Sequence, residues 1–200
     1  MENNFISLRG TVEGDISYSH SVLDEDFYKF KLNVQRLSGI SDLLPVTVPK
    51  SLLNSIQIND GDSVNLTGQL RSYNKYTENR TRLILTAFAK AIENESETDE
   101  NPNNVILNGY VCKAPTYRKT PFGREITDVI IAVNRAFNRS DYIPTICWGK
   151  NAVFCRDLPV GTNVLIKGRL QSREYTKRSG EEFEVRTAYE VSVGEIEEIS

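Results

Sequence analysis

The sequence has 200 residues, enough for one large domain or for two domains of about 100 residues each. Hydrophobic residues make up 39% and charged residues 26% of the chain, which is typical of a folded globular protein and excludes a fully disordered one. The formal net charge is −3, so a polyanionic partner would have to meet a local basic groove rather than a globally basic surface.

The chain consists of two similar halves. Five segments of the first half recur in the same order roughly 100 residues later, and such internal repeats indicate a duplicated unit. The matching pairs are Asn4–Gly10 with Asn104–Gly109, Phe30–Arg36 with Val129–Arg135, Gly61–Leu70 with Gly161–Leu170, Tyr76–Thr77 with Tyr175–Thr176, and Thr86–Phe88 with Thr187–Tyr189. Between the halves lies a polar, acidic segment that contains Pro102 and cannot form a core. We therefore predict a first domain in residues 1–92, an acidic linker in 93–103 and a second domain in 104–200.

Each half is predicted to be built mainly of strands. Short helices are predicted at Ser51–Ile56 in the first half and at Asn151–Arg156 in the second. Alternating apolar and polar residues predict strands in the second half at Val105–Val111, Val129–Val133 and Phe183–Val193. Five strands with a short helix between the third and fourth are the element order of the OB fold, a barrel that binds oligonucleotides. The predicted fold class is all-β, with two tandem OB-fold five-stranded barrels, each with a short helix between strands three and four.

Aromatic and basic side chains are interleaved in the connections of the second half, as the binding of single strands requires. The predicted contacts are Tyr117, Arg118, Lys119, Phe122 and Arg124 in the strand one–two loop, Arg135, Phe137, Arg139 and Tyr142 between strands two and three, Trp148 and Lys150 after strand three, and Arg173, Tyr175, Lys177 and Arg178 in the strand four–five hairpin. The first half offers only Tyr73, Lys75 and Tyr76 in its corresponding hairpin. The alternative for the aromatic residues is a structural role in the barrel, and for the cations it is the solvation of turns. These aromatic residues are Tyr117, Phe137, Tyr142, Trp148 and Tyr175.

The sequence lacks the residue patterns that are typical of catalytic and metal sites. The three cysteines form no CxxC pair, so neither a zinc site nor a disulfide framework is expected. The one histidine, His20, lies in a polar Ser-His-Ser segment without the orienting group that nucleophilic catalysis needs. Phosphate-binding glycine loops and dinucleotide fingerprints are absent. We therefore expect a protein that is not an enzyme and that uses no metal or cofactor.

Residues 104–196 resemble a bacterial single-stranded DNA-binding protein over essentially the whole OB domain. The segments that carry the resemblance are Asn108-Gly109, Thr120–Gly123, Ile131–Arg135, Trp148–Lys150, Gly161–Leu170 and Tyr175-Thr176. The resemblance implies that bases stack on Phe137, Tyr142, Trp148 and Tyr175. It also implies binding of single-stranded DNA without sequence specificity in replication, repair or recombination. Because such proteins commonly assemble four OB domains, it implies a homodimer of this two-domain chain. Because the sequence has no apolar run of about 18–20 residues and no secretory signal, we expect a cytoplasmic, nucleoid-associated protein without a membrane partner.

Three departures keep other interpretations open. The chain ends in the acidic segment Gly194–Ser200 without the family's long tail and Pro-Phe tip, so recruitment of replication or repair proteins by the usual route is not expected. The segment Leu107–Pro115 is also similar to the opening of primosomal replication protein N, which suggests an accessory role in replication restart. At the places of Phe137, Tyr142 and Trp148 the first half has Ser38, Leu43 and Pro49, so its binding face is expected to be degenerate. A tandem OB scaffold that binds protein is the third alternative.

Overall fold

The computed structural model describes residues 3–77, 80–94, 101–179 and 182–199, without the side chains of residues 77, 80, 177–179 and 182. The elements of the first half are β1 (Asn4–Val22), β2 (Glu25–Gln35), β3 (Ser41–Pro49), α1 (Lys50–Leu53), β4 (Ser63–Thr77) and β5 (Arg80–Asn94). They form a closed barrel with strand order β1-β2-β3-β5-β4, in which the pairing of β4 with β1 closes the ring. The pairing of β3 with β5 is parallel, and the other pairings in this barrel are antiparallel.

The second half repeats this barrel with one strand more. Its elements are β6 (Asn103–Val111), β7 (Thr116–Lys119), β8 (Glu125–Arg135), β9 (Arg139–Trp148), α2 (Lys150–Arg156), β10 (Asn163–Ser179) and β11 (Glu182–Glu198). The additional strand, β7, pairs only with β8, and Gly123 at φ +75° lies in the turn between them. The predicted loop between strands one and two is therefore partly a hairpin. Within the described residues, the predicted pair of OB barrels with a helix between strands three and four is confirmed.

The ends of the predicted linker belong to strands. β5 extends to Asn94 and β6 begins at Asn103, while residues 95–100 lie outside the described part of the chain. The helices also begin one residue earlier than predicted, at Lys50 and Lys150, and α1 ends at Leu53. The division into domains at residues 92 and 104 stays a prediction.

The barrel interiors follow the alternation in the sequence. In β2 the inward side chains Phe30, Leu32 and Val34 are buried, and the residues between them are less buried. A glycine stands at the same place in both barrels where β4 and β10 shift register against their partners. A Cβ added at Gly68 would lie 2.0 Å from the carbonyl oxygen of Phe88, and one at Gly168 would lie 2.3 Å from that of Ser192. These close approaches explain why the repeated segments share a glycine.

The two barrels are joined into one continuous sheet. β1 pairs antiparallel with β6, from Asn4 opposite Leu107 to Leu8 opposite Asn103. The Asn4 side chain donates to the Leu70 carbonyl oxygen at 2.7 Å and accepts from the Leu70 N–H at 2.8 Å. Asn103 makes the equivalent pair of bonds to Leu170 in the second barrel. Paired strands at the junction hold the outer faces of the two barrels in a fixed relation.

Candidate nucleic-acid interface

Trp148 lies at the end of β9, where the strand turns into α2. The preceding Cys147 is fully buried, and the following Gly149 has φ +54°, a left-handed conformation that glycine adopts without strain. The N–H of Gly149 donates to the carbonyl oxygen of Glu125 at 3.0 Å, which holds this turn against β8. Trp148 is 38% exposed and lines a cavity of about 510 Å³ together with Arg124. An indole and a guanidinium therefore face the same open space.

Tyr142 lies on the same face of β9 as Trp148. The two residues are an even number of positions apart, and the intervening Ile143 and Cys147 point into the barrel. Tyr142 is 48% exposed, and its backbone N–H donates to the Ser72 hydroxyl of the first barrel at 2.7 Å. This strand thus presents two aromatic rings to solvent at one side of the second barrel.

Phe137 projects from the turn between β8 and β9. It is 94% exposed and has φ +60°, and the next residue, Asn138, has φ +53°. A left-handed conformation is unfavourable for a residue with a large side chain, and such strain is often found at functional sites. The structure gives this ring no place in the core, so the structural alternative for Phe137 is wrong.

Tyr175 and Arg173 lie on β10 in the last hairpin. The Arg173 guanidinium lies 5.8 Å from the centre of the Tyr175 ring, and its Nε donates to Glu190 at 3.2 Å. Tyr175 lines a cleft of about 560 Å³ between the two barrels, opposite Lys31 and Arg82 of the first barrel. The predicted neighbours Lys177 and Arg178 have side chains outside the described part of the chain.

Most predicted cations of the second barrel that the structure describes contact a carboxylate. The ion pairs are Arg118 with Asp128, Lys119 with Glu125 at 3.8 Å, Arg135 with Asp141 at 3.5 Å, and Arg173 with Glu190 at 3.2 Å. The Nε of Arg135 is buried, and its partner Asp141 also pairs with Arg71 of the first barrel at 3.0 Å, which places this ion pair beside the contact between the barrels. Arg124, Arg139 and Lys150 are exposed. The positive charge facing a ligand is therefore smaller than the sequence suggests.

The strand one–two hairpin holds one packed and one free aromatic ring. The Tyr117 hydroxyl donates to Glu125 at 2.9 Å, and the guanidinium of Arg156 lies 5.5 Å from its ring centre. Burial, followed by the hydrogen bond to Glu125, raises the pKa of Tyr117. Phe122, in contrast, is almost fully exposed beside Gly123 at the hairpin turn. The structure therefore brings Phe122 to the surface and packs Tyr117 against its neighbours.

The first barrel carries aromatic rings that the sequence reasoning missed. Tyr73, Lys75 and Tyr76 are exposed on β4, as predicted for the hairpin, and Tyr73 lines a cavity of about 490 Å³. In addition, Phe27 and Phe88 lie together on the outer face, with ring centres 5.7 Å apart. The signal was present in β2, where Phe27, Lys29 and Lys31 alternate with the apolar positions that fill the core.

Comparison with known proteins identifies the family. Residues 102–199 match the Single-strand binding protein family. Single-stranded DNA-binding protein B of Bacillus subtilis is 33% identical over an alignment of 88 residues, which covers 39% of this chain and 75% of that protein. The chain belongs to the single-strand binding protein family. This is a family of DNA-binding proteins that are not enzymes.

The similarities differ in their extent. The single-stranded DNA-binding protein of Bacillus cereus is 36% identical over 85 residues, and this chain spans 50% of its length. The wild-type single-stranded DNA-binding protein from Thermus aquaticus matches with a TM-score of 0.79 at 19% identity, covering 98% of this chain and 93% of that one. At that identity the structural likeness establishes the tandem fold alone. Among the described residues, the structure has no helix that is long and apolar enough to cross a membrane.

Proposed function

We propose that this chain binds single-stranded DNA without sequence specificity and acts in DNA replication, repair or recombination. The observation that carries the proposal is the exposure of Phe137, Tyr142, Trp148 and Tyr175 on the second barrel of a chain that belongs to the single-strand binding protein family. Four exposed aromatic rings around one barrel are costly in water unless a ligand covers them. Bases are such ligands, because every base has a face that stacks on an aromatic ring.

The proposal gives the rings and the cations different roles. Phe137, Tyr142, Trp148 and Tyr175 supply stacking surfaces, while Arg124, Arg139 and Lys150 contact the phosphates as exposed cations. Each stacked base contributes about 1–3 kcal/mol, and phosphate contacts add a salt-dependent term. The preference for DNA over RNA rests on the family, because the described side chains include no arrangement that we can assign to a 2′-hydroxyl.

We further propose a homodimer that presents four OB barrels, located with DNA at the nucleoid in the cytoplasm. The relatives named above are single-stranded DNA-binding proteins, and replication or repair proteins are the partners that such a role requires. Sedimentation equilibrium of the full chain tests the assembly. A mass of twice the chain, unchanged over a wide concentration range, is expected, and a monomer throughout would contradict it.

The test of DNA binding uses Trp148, the one tryptophan of the chain, as a reporter. The full chain is titrated with a single-stranded oligonucleotide and with the matching duplex at low and moderate salt, while the indole fluorescence is followed. Quenching by the single strand alone, with an affinity that falls as salt rises, is expected. Anisotropy of a labelled strand is measured in parallel, because it responds to binding even if the indole does not.

The outcomes separate the alternatives. If neither the Trp148 fluorescence nor the anisotropy of the labelled strand changes, DNA binding is contradicted and a tandem OB scaffold that binds protein is favoured. An increase in anisotropy without quenching of Trp148 would mean that the strand binds elsewhere, and it would overturn the assigned site. A role in replication restart would instead appear as tighter binding to forked DNA than to a plain single strand.

A further inference from the structure

The first barrel carries an aromatic row on its outer face. The His20 ring stacks on the Phe27 ring with centres 4.9 Å apart and planes 15° apart. The Phe27 ring lies 5.7 Å from Phe88, and the Arg71 guanidinium lies 5.8 Å from the centre of Phe88. We call these four side chains, from β1, β2, β5 and β4, the first-barrel row.

The row does not belong to the barrel core. Phe88 lies between Ala87 and Ala89, which are both fully buried, so its own side chain points outward. Phe27 likewise lies on the face of β2 opposite to the buried Phe30 series. Both phenylalanine rings are half-buried and His20 is exposed. Aromatic rings that cover one another outside a core provide an apolar surface that a flat ligand can extend.

Positive charge accompanies the row. Lys29 and Lys31 follow Phe27 on the same face of β2. Lys50 at the start of α1 pairs with Asp26 at 3.2 Å, so it adds little net charge to this face. Lys31 also donates to the Tyr189 hydroxyl of the second barrel at 2.7 Å. Two acids of β1, Glu13 and Asp15, line the cavity of the first barrel together with Lys29 and Lys31, and the row lies beside this cavity. A ligand with apolar faces and negative charges therefore fits the part of the face that holds the row and the two lysines.

The outer face that holds the row leads towards the cleft between the barrels. Lys29 follows Phe27 on β2 and Thr86 precedes Phe88 on β5, and both Lys29 and Thr86 line the cavity of the first barrel. Lys31, Pro45 and Ile84 line both the cavity of the first barrel and the cleft between the barrels. The opposite wall of that cleft contains Tyr175, which belongs to the proposed DNA site. A strand bound at Tyr175 can thus enter the first barrel past Lys31 without leaving the protein surface.

We propose that the first barrel binds the same single strand through His20, Phe27 and Phe88, with Lys29 and Lys31 contacting its phosphates. This inference rests on the proposed binding of single-stranded DNA by the second barrel. It revises the expectation of a degenerate first face, since the aromatic rings come from β1, β2 and β5 instead of the positions of Phe137, Tyr142 and Trp148. Strands long enough to pass the cleft contact both barrels, and shorter strands contact only the second.

The chain contains one histidine and one tryptophan, and they report on different barrels. The imidazole proton signals of His20 are followed by NMR, and Trp148 fluorescence is followed in parallel, with oligo-dT of about 8 and about 30 nucleotides, since an OB barrel occupies about 4–16 nucleotides. The short strand is expected to quench Trp148 and leave His20 unchanged. The long strand is expected to quench Trp148 and shift the His20 signals upfield, because a stacked base adds its ring current.

A variant pair tests the energetic role. Phe27→Ala is expected to weaken binding of the long strand about 5- to 150-fold, the loss of one stacked base, and to leave the short strand unaffected. The matched control is Tyr18→Ala, which removes an exposed aromatic ring from the opposite face of the same hairpin, where Tyr18 pairs with Tyr28. It is expected to change neither affinity.

The failure of this inference can be distinguished from the failure of the proposed function. If the long strand quenches Trp148 and leaves His20 unshifted, with Phe27→Ala binding like the control, the first-barrel site is overturned and DNA binding stands. If both strands leave Trp148 fluorescence and the anisotropy unchanged, DNA binding itself is overturned and the first-barrel site falls with it.

Discussion

Asp42 of the first barrel accepts hydrogen bonds from the backbone N–H and the hydroxyl of Ser172 in the second barrel, at 2.7 and 2.9 Å. Asp141 of the second barrel accepts the equivalent bond from the N–H of Ser72, at 2.7 Å. Both carboxylates are fully buried. Arg36 also pairs with Asp42, at 2.6 Å. The barrels are therefore held by two reciprocal contacts in addition to the β1–β6 pairing, and the cleft between them is a fixed part of the surface.

Removing the charge of Asp42 is expected to destabilise the chain. In Asp42→Asn the volume is kept, but Arg36 loses its partner in a buried setting, and the free energy of unfolding should fall by roughly 2–4 kcal/mol. Urea unfolding at neutral pH measures the loss. The control is Asp157→Asn at an exposed ion pair with Arg156, which should cost less than about 1 kcal/mol. Equal, small losses in both variants would contradict a stabilising contact at Asp42.

The same contact predicts a response to acid. Burial by itself raises the pKa of Asp42, but the hydrogen bonds from Arg36 and Ser172 outweigh it and hold the pKa below its usual value. An aspartate in the unfolded chain titrates near pH 3.9, about the value of model peptides. The ionised carboxylate therefore stabilises the fold fully above about pH 4, and this contribution disappears as the pH falls through the lowered pKa.

The stability gap between the wild type and Asp42→Asn should consequently be constant between about pH 7 and pH 5 and shrink below about pH 4. Urea unfolding of both proteins across this range measures the gap. A gap that grows in acid would mean that the pKa of Asp42 is raised in the folded protein.

The repeated strands and the exposed aromatic rings could be predicted because each depends on local sequence. Alternation of apolar residues predicts which side of a strand is buried, and Gly68 and Gly168 recur because neighbouring carbonyl groups leave no room for a Cβ. Phe137 stands in the short turn between β8 and β9, and Trp148 is the last residue of β9, so their exposure follows from their position. These features require no knowledge of how distant segments meet.

The partners of the cations could not be predicted, because strand register determines them. Arg118 contacts Asp128 because residues 116–119, which belong to the predicted strand one–two loop, form β7 and pair with β8. The polar Ser-His-Ser segment around His20 is typical of a loop, but β1 continues to Val22 and stacks the His20 ring on Phe27 of β2. Both errors come from a hairpin that is longer than the spacing of apolar residues indicates.

The two barrels should contribute unequally to affinity at their hairpins. Replacing Trp148 and Tyr175 with alanine is expected to remove most of the affinity for a single strand, since two stacked bases are lost at about 1–3 kcal/mol each. Replacing Tyr73 and Tyr76 should cost much less, because the contacts proposed for the first barrel are made by His20, Phe27 and Phe88. Anisotropy titrations of the two double variants give the comparison, and the reverse ranking would contradict the assignment of the main site.

The thiols should be nearly unreactive in the folded protein. Cys147 and Cys155 are fully buried with sulfur atoms 3.3 Å apart, so a reagent in solution cannot reach them. The hydrogen bond between them and burial raise the pKa of Cys147, while the same hydrogen bond lowers the pKa of Cys155. Burial also raises the pKa of Cys112, which is partly exposed. Because the thiolate is the reactive form, titration with Ellman's reagent at neutral pH should detect only slow reaction of Cys112, and all three thiols after denaturation. Loss of the slow native reaction in Cys112→Ser would confirm the assignment, and rapid reaction of two native thiols would contradict the burial.

The ion pairs around the groove should weaken the salt dependence of DNA binding. Arg118 contacts Asp128, so a phosphate must compete with this carboxylate before counterions are released. In Asp128→Asn the guanidinium is free to bind a phosphate, and a plot of log affinity against log salt should steepen by about 0.7, the value for one contact on a single strand. Affinity at low salt should rise with it. The control is Glu195→Gln, which opens the exposed pair with Lys167, a residue that lines none of the cavities described above. An unchanged slope in Asp128→Asn, equal to that of the control, would mean that Arg118 lies outside the path of the strand.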